Sequence, residues 1–220
     1  MASRLLTLQF ALFFKDIVER PDTAFKGLND AMLNLFDGIP SVLPVPRELP
    51  PEIPVVTLRS EGEGYTCNIA RSRIDIVFSR NDPKKPNREI LRDFNLKVAA
   101  FTKYVSDQQA IVRFGFVTRY FIDDKKAVTT LSKCYMGSRI GDVTELSIRY
   151  NKPTKIQGRI INDVVEIGAN QLAFGPEILD GILIQRDINN ADTRNLLSYK
   201  ELRAISQELA GLVAEAEIEG

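Results

Sequence analysis

The stretch that most constrains the fold lies at the middle of the chain, residues 109–122, which is richer in aromatic and β-branched residues than any other window. Such residues favour a strand, in which successive side chains point to opposite faces. One face is nearly all apolar and belongs in a core: Ala110, Val112, Phe114, Phe116, Thr118, Tyr120 and Ile122. The other face carries Arg113 and Arg119, about 20 Å apart, with the backbone approachable at Gly115. A strand this long could pair with strands from both halves of the chain.

The size and composition of the chain predict a fold that needs no cross-links. With 220 residues, 44% of them apolar, the chain can build a sizeable core. Cys67 and Cys134 lie far apart in the sequence, and we expect both to be reduced and buried, which favours a cytoplasmic location. The apolar N-terminus is interrupted by Gln9 and predicts a buried strand rather than a signal sequence. No window approaches the roughly 20 apolar residues of a membrane span, so we expect no membrane contact.

Charge and histidine content limit the possible functions. Lysine plus arginine and aspartate plus glutamate both number 29, so the whole molecule has no net attraction for nucleic acid or an anionic membrane. The chain has no histidine, which removes the commonest general base and the commonest transition-metal ligand. Chemistry based on carboxylates or on metals bound by oxygen remains open. We expect no cofactor, and enzymatic activity is uncertain and not favoured.

The first half of the chain predicts a strand, a helix, three strands and a second helix. A proline-rich segment, 39–54, separates the first helix from the strands; its apolar residues suggest that it packs along the body of the protein. The alternative is that this segment binds an aromatic groove of a partner. We expect strands at 5–14, 55–60, 65–71 and 74–79, and helices at 23–37 and 88–105 with Asn87 as the cap of the second.

The second half repeats this order. Strand 109–122 is followed by a short helix to about residue 134, and a closing helix begins at the capping box formed by Ser198 and Glu201. Between these helices we expect three strands, at 143–150, 155–167 and 179–188. The closing helix has one apolar stripe: Leu202, Ile205, Leu209, Leu212, Val213 and Ala216. An acidic tail follows it.

The shared element order predicts an internal duplication. The fold class is then α+β, with halves at 1–106 and 107–220 forming one continuous globular unit. We expect a mainly antiparallel sheet that helices cover on one face. The two halves share almost no residue identity, so this prediction rests on the order of elements alone.

Four arginines are the best candidates for binding an anion. Arg71 and Arg73 flank a probable turn, and with Arg113 and Arg119 they could line one side of a sheet, where guanidinium groups suit phosphates or carboxylates. The simpler interpretation is that their stems cover apolar surface on an exposed face.

Aspartates offer a weaker hypothesis of a magnesium site. Asp180, Asp187 and Asp192 gather near the last predicted strand, and Asp123 with Asp124 opens the short helix. A helix start whose acids favour the dipole is the simpler explanation of Asp123 and Asp124, and a turn is the simpler explanation of the group near Asp192. No acyl-, phosphoryl- or hydride-transfer motif is present, and the glycines fit neither a phosphate loop nor a dinucleotide fingerprint.

Residues 112–120, with the strand at 181–187 and the closing helix, resemble an uncharacterised, sporadically distributed family of prokaryotic proteins. That family has an arginine-glycine-arginine-tyrosine strand at mid-chain and an aspartate-ended strand before its last helix. In this chain three residues separate Gly115 from Arg119. The family has no assigned activity, so the resemblance implies a fold and no catalytic residue. The duplicated order also looks like the TATA-binding-protein-like fold, whose saddle-shaped sheet grips a ligand.

Three functional hypotheses follow. The first is a non-catalytic binding or assembly protein that contacts a partner protein, or forms a homo-oligomer, through an exposed sheet face and the C-terminal amphipathic helix. The second is nucleic-acid binding through the arginine-bearing face. The third is a divergent magnesium-dependent hydrolase or nuclease that uses Asp180, Asp187 and Asp192.

Overall fold

The computed structural model describes residues 3–44, 46, 48–137, 143–174 and 177–212. The protein is mixed α+β with one large antiparallel sheet, as its sequence predicts. The strands are β1 (Arg4–Phe14), β2 (Ser41–Val42), β3 (Pro54–Arg59), β4 (Tyr65–Ala70), β5 (Arg73–Ser79), β6 (Ile111–Asp123), β7 (Ser147–Asn151), β8 (Thr154–Ile156), β9 (Arg159–Phe174) and β10 (Glu177–Asn190). The helices are α1 (Pro21–Ala24), α2 (Leu28–Ala31), α3 (Asn87–Gln108), α4 (Ala127–Leu131), which a π-helical turn (Ser132–Met136) extends, and α5 (Tyr199–Leu212).

The sheet is continuous across the middle of the chain. Its strand order is β2-β3-β4-β5-β1-β6-β10-β9-β7, with β8 paired to β9. The mid-chain strand β6 pairs with β1 on one side and with β10 on the other, so it joins strands from both halves, as its length predicts. Its apolar face is buried from Phe114 to Ile122, whereas Ala110 lies before the strand and is exposed.

The two faces of the sheet differ in burial. Phe10, Phe116 and Ile188 lie directly opposite one another on β1, β6 and β10, and all three are buried. We call this side the core face. The next register position places Gln9, Val117 and Asp187 on the opposite side, the outer face, where all three are half-buried.

Helix α3 packs on the core face through aromatic rings. Phe94 is fully buried and stacks on Tyr65 and on Phe116, with ring centroids 6.3 and 6.0 Å apart. Asn87 is not the cap of this helix, because Pro86 occupies the N-cap position. The Asn87 side chain instead accepts a hydrogen bond from the Leu5 amide and donates one to the Ser3 carbonyl, and so ties the start of α3 to β1.

Helix α5 begins at the capping box that the sequence predicts. The Ser198 amide donates to Glu201 Oε2 at 2.9 Å, and the Glu201 amide donates back to Ser198 Oγ at 3.3 Å. Leu202, Ile205 and Leu209 are each 0% exposed, so the described part of the apolar stripe lies in the protein's own core.

The prediction of one helix over 23–37 is wrong. Two single-turn helices, α1 and α2, stand in its place, and Leu33 and Asn34 both have φ of 57°. The Asn29 side chain donates to the Phe36 carbonyl and accepts from the Phe36 amide, both at 2.9 Å. These bonds close a compact loop that replaces helical hydrogen bonds. The apolar residues at helical spacing in this stretch are nevertheless buried: Phe25, Leu28, Met32, Leu35 and Phe36.

The prediction of one strand over 155–167 is also wrong. The chain turns at Gln157 and Gly158, whose φ values are 49° and 79°, and so forms a β8–β9 hairpin. Paired positive φ values suit a two-residue hairpin turn, and glycine adopts them without strain. Strand β9 then continues to Phe174, and β10 begins at Glu177 rather than at 179.

Two predictions of burial fail. The proline-rich segment does not pack throughout along the body: Ile39, Val42, Leu43 and Leu49 are exposed, and Ser41–Val42 forms a short edge strand instead. Cys67 is buried and reduced, whereas Cys134 is a free cysteine at the surface.

Some predicted features fall outside the described residues. These are Val45 of the proline-rich segment, most of the loop at 136–141, the Gly175-Pro176 turn, the last two members of the closing stripe, Val213 and Ala216, and the acidic tail.

Candidate functional site

The outer face has its smallest side chains at its centre. Ala11 on β1 lies directly opposite Gly115 on β6. Asp75 on β5 lies opposite Ala11, and Asn189 on β10 lies opposite Gly115. Two small residues, Ala11 with one methyl group and Gly115 with no side chain, are therefore bordered by a carboxylate and an amide, and we call this position the notch. Ala11 is buried, and the Phe13 ring lies 3.9 Å from where a Cβ of Gly115 would stand.

Polar residues continue this line across the sheet. The register places seven residues side by side on consecutive strands, about 29 Å from end to end at ~4.8 Å per strand. We call them the central row: Thr57, Asn68, Asp75, Ala11, Gly115, Asn189 and Asn162. The row presents hydrogen-bonding groups on both sides of the notch.

Hydrogen bonds order one arm of the row. Thr57 Oγ1 donates to Asn68 Oδ1 at 3.3 Å, and Asn68 Nδ2 donates to Asp75 Oδ1 at 3.1 Å. The arm therefore ends at a carboxylate that is only 1% exposed. Burial raises the pKa of Asp75, while the Asn68 amide, the nearby Arg73 charge and Gln9 act in the opposite direction.

The other arm is also a chain of amides that ends at a carboxylate. Asn151 Nδ2 donates to Asn162 Oδ1, and Asn162 Nδ2 donates to Asn189 Oδ1, both at 3.2 Å. Asn189 Nδ2 then donates to Asp187 Oδ1 at 3.1 Å. Since each amide is held by its neighbour, the row is pre-ordered rather than free to rotate.

A cluster of one ring and two arginines lies beside the notch. Phe13 on β1 pairs with Arg73 on β5 and with Arg113 on β6. The guanidinium carbons of Arg73 and Arg113 lie 6.0 and 5.0 Å from the centre of the Phe13 ring, within the range of cation–π contacts. Arg73 also lies 3.6 Å from Asp75 Oδ2, an ion pair without hydrogen-bond geometry.

The other two arginine candidates lie elsewhere. Arg119 is on the outer face six positions along β6, exposed, and its Nε donates to Gln185 Oε1 at 2.7 Å. Arg71 lies in the turn between β4 and β5, 3.8 Å from Glu19. The structure thus brings Arg73 and Arg113 together, and places Arg119 and Arg71 apart from them.

The structure does not bring the three aspartates of the magnesium hypothesis together. Asp180 and Asp187 are seven positions apart on β10, about 23 Å, and project to opposite faces. Asp192 lies in the next loop, bound to Arg194 and Asn195, and these contacts lower its pKa to about 2. Within the described ranges no group of three or more aspartate, glutamate or cysteine residues could hold a metal ion.

Asp123 and Asp124 have separate surroundings. Asp123 is exposed at the end of β6. Asp124 accepts hydrogen bonds from the Lys126 amide at 2.8 Å and from the Thr130 hydroxyl at 2.5 Å. This is the helix-start role that the sequence offers as the simpler explanation of the pair.

The core face contains a charged pair that sequence reasoning missed. Arg186 binds Asp163 through two hydrogen bonds, Nε to Oδ1 at 2.7 Å and Nη2 to Oδ2 at 2.6 Å. Asp163 is 7% exposed, and the bidentate pairing raises the pKa of Arg186. Burial raises the pKa of nearby Tyr120 to about 12. Asp163 and Arg186 alternate in step with the buried apolar residues of β9 and β10. This alternation is the sequence signal that could have placed both charges on the core face.

The asparagines of the central row were also missed. Asn68, Asn162 and Asn189 each lie on the outer side of a strand, in alternation with the buried apolar residue that precedes each of them: Cys67, Ile161 and Ile188. This alternation is visible in the sequence, but only the strand order shows that the three amides share one row.

Comparisons of the chain with protein-family models, with curated proteins and with solved structures found no match. In the part of the chain that the structure describes, no helix has the length and apolarity needed to cross a membrane.

Proposed function

We propose that this chain is a non-catalytic binding protein that contacts a partner protein through the outer face of its sheet. The observation that carries this proposal is the central row, in which hydrogen bonds hold three amides and one carboxylate in fixed positions on either side of the notch. Thr57, Asn68, Gly115 and Asn162 are half-buried, whereas Asp75, Ala11 and Asn189 are buried. Side chains fixed in advance lose little conformational entropy when a ligand binds. An extended segment laid across the strands would find hydrogen-bonding groups on each side of the notch.

The architecture behind this face is part of the proposal. We infer that the helices cover the core face alone and that the chain is an internal duplication. The strand order supports the duplication, because the strands from β3 through β4 and β5 to β1 follow one another in the same way as those from β7 through β9 and β10 to β6. The likeness to the TATA-binding-protein-like fold and to the uncharacterised prokaryotic family, like the cytoplasmic location, belongs to the same proposal.

The C-terminal helix contributes less to partner binding than its sequence suggests. The described members of its apolar stripe, Leu202, Ile205 and Leu209, are fully buried in the core. Among the described side chains of α5, those on the polar side are left to contact another molecule. The proposed contact therefore rests on the outer face.

A substitution at the centre of the outer face tests this function. Val117→Arg places a long charged side chain between Gln9 and Asp187, and we expect it to abolish capture of a partner by the tagged protein in cells that express it. Leu96→Arg is the matched control, since Leu96 is 68% exposed on α3 and its replacement should leave capture unchanged. Light scattering would detect self-association. A strictly monomeric protein that recovers no partner contradicts the proposal.

Nucleic-acid binding is the second candidate, and the Arg73–Phe13–Arg113 cluster favours it. An aromatic ring with arginines beside it is a common surface for single strands, although the Phe13 ring is half-buried. This function predicts salt-sensitive retention of the protein on a nucleic-acid column and loss of retention in Arg113→Ala. Retention that is indifferent to salt or to the substitution would exclude it.

A further inference from the structure

The four candidate arginines differ in what neutralises or binds them. Arg71 lies close to Glu19, Arg73 close to Asp75, and Arg119 donates to an amide oxygen. Among the described residues the Arg113 side chain has no ion-pair or hydrogen-bond partner, and its guanidinium lies over the Phe13 ring. Arg113 is therefore the arginine of this group whose hydrogen-bonding capacity the protein itself leaves unused.

The unused hydrogen-bonding groups of Arg113 are on the solvent side of its guanidinium. Its Nε is buried without a hydrogen bond, while the residue as a whole is half-buried. The terminal nitrogens are then the part of the guanidinium that solvent reaches. The Phe13 ring holds the plane of the guanidinium from one side, so that these nitrogens present a fixed edge to a ligand.

The charge around Arg113 favours an anion. Arg73 and Arg113 stand two strands apart, about 10 Å, on either side of Phe13. Asp75 is the only carboxylate paired with them in the described chain, and it lies beside Arg73. Two guanidinium groups with one carboxylate leave one positive charge in excess.

The small number of available cations favours a protein carboxylate over a nucleic acid as the ligand. A nucleic acid places a phosphate at every nucleotide and is held by several neutralised phosphates. Here, in the described part of the chain, Arg113 is the one candidate arginine without a polar partner, and it is half-buried. The next candidate on β6, Arg119, is about 20 Å away. Asp75 and Asp187 lie on the outer face between the positions of these two arginines. These two carboxylates would repel a continuous polyanion, whereas an isolated acidic side chain in an otherwise neutral segment avoids them.

Building on the proposed function, we propose that the outer face binds an acidic segment of a different protein, with one glutamate or aspartate side chain bound by Arg113. The terminal nitrogens of Arg113 donate to the two carboxylate oxygens, and Arg73 adds a second positive charge nearby. The amides of the central row contact the neighbouring part of the segment.

Fluorescence anisotropy with defined probes tests the anchor. The probes are two labelled hexapeptides and an oligothymidine, each added to the full-length protein at physiological salt. One hexapeptide consists of glutamines with a single central glutamate, which we call the one-glutamate peptide, and the other is hexaglutamine. We expect the one-glutamate peptide to bind, hexaglutamine to bind at least tenfold more weakly, and Arg113→Gln to weaken binding of the one-glutamate peptide about tenfold or more, the usual loss when a charged hydrogen bond is removed. Arg113→Lys, which keeps the charge but not the planar fork, should retain intermediate binding.

The matched control is Arg59→Gln, which removes an exposed arginine from β3 and should change binding of the one-glutamate peptide less than twofold. Thermal unfolding of each variant shows that the fold is kept. Absence of binding by the one-glutamate peptide, equal binding by Arg113→Gln, or tighter binding of oligothymidine overturns the proposal. So does an oligomer that Arg113→Gln converts to a monomer, because the acidic segment would then belong to a second copy.

Partner capture separates this inference from the proposed function. If Val117→Arg abolishes capture and Arg113→Gln leaves it intact, the acidic anchor fails and the binding face stands. If neither substitution affects capture, both proposals fail.

Discussion

Asp75 shows how a single residue on the outer face differs from a surface carboxylate. It is 1% exposed although it lies on the side of the sheet away from Phe10 and Phe116, because Asn68, Arg73 and Gln9 surround it. Its Oδ1 has a hydrogen bond, and its Oδ2 has an ion-pair contact only. Burial is the largest influence on its pKa and raises it. The protein thus keeps an incompletely bound carboxylate at the edge of the notch.

The pH dependence of stability tests this description of Asp75. Because its folded-state pKa lies above the ordinary value of 3.8, the protonated group favours folding. That contribution is complete below the ordinary value and is lost as pH rises through the raised folded-state value. We expect the free energy of unfolding of Asp75→Asn, relative to the wild type, to increase as pH rises across this window.

Urea denaturation at several pH values measures the difference. Asp187→Asn is the control, because Asp187 ends the other arm of the central row and is more accessible than Asp75. A constant difference between Asp75→Asn and the wild type from acid to neutral pH would contradict the raised pKa.

Gly181 is a second residue whose role follows from its surroundings. A Cβ added at this position on β10 would overlap the Ile122 carbonyl oxygen and the Phe121 ring, so the strand would have to move. We expect Gly181→Ala to lower the free energy of unfolding by about 2 kcal/mol or more, at the upper range for overpacking. Gly62→Ala, where no atom lies within 4 Å of the added carbon, should change it by less than about 0.5 kcal/mol. Equal stability of the two variants in urea denaturation would show that β10 relaxes freely.

At the scale of elements, helix α5 depends on both its cap and its buried stripe. Ser198 and Glu201 exchange hydrogen bonds at its start, and Arg159 on β9 donates to Glu201 Oε1 at 2.8 Å. These bonds lower the pKa of Glu201 to about 2, with the Ser198 hydroxyl as the largest cause. The cap therefore fixes the helix to the sheet as well as starting it.

The cap can be tested within one helix. Ser198→Ala leaves the Glu201 amide without its side-chain acceptor, and we expect it to lower the free energy of unfolding by about 1 kcal/mol. Ser206→Ala is the matched control, because the Ser206 hydroxyl donates only to the Arg203 carbonyl inside the helix and alanine is a better helix former. Denaturant unfolding of both variants measures the difference. A loss at Ser206 equal to that at Ser198 would mean that the cap has no special role.

At the scale of the whole molecule, the central strand pair joins the two halves. Strand β1 pairs with β5 of its own half and with β6 of the other, and α3 contacts α5. Phe10 contacts both Phe114 and Phe116 across the boundary. Neither half can lose its structure without exposing the rings that the other half buries.

This continuity predicts cooperative unfolding. We expect tyrosine fluorescence, the available aromatic signal in a chain without tryptophan, and far-ultraviolet circular dichroism to give the same urea midpoint. Two resolved transitions, or midpoints that differ between the two probes, would show that the halves unfold separately.

Local patterns in the sequence correctly predicted the helices and strands that neighbouring residues in the chain determine. The alternation in 109–122 gave a strand, the spacing of Ile90, Phe94 and Val98 gave a helix, and the Ser198 capping box marked where α5 starts. The predictions over 23–37 and 155–167 failed because the deciding contacts are specific: the Asn29 side chain binding Phe36 in the first, and a turn at Gln157 with positive φ in the second.

The sequence by itself determined the α+β class, the antiparallel sheet and most strand positions, because apolar periodicity and turn residues act over a few positions. Only the tertiary structure decided which polar residues share a face. Asn68, Asp75 and Asn189 come from three strands and meet in one row through strand order and register, which depend on packing across the whole sheet. The same register places Arg113 beside Phe13, where its side chain has no ion-pair or hydrogen-bond partner among the described residues. The sequence showed only that this arginine faces away from the core.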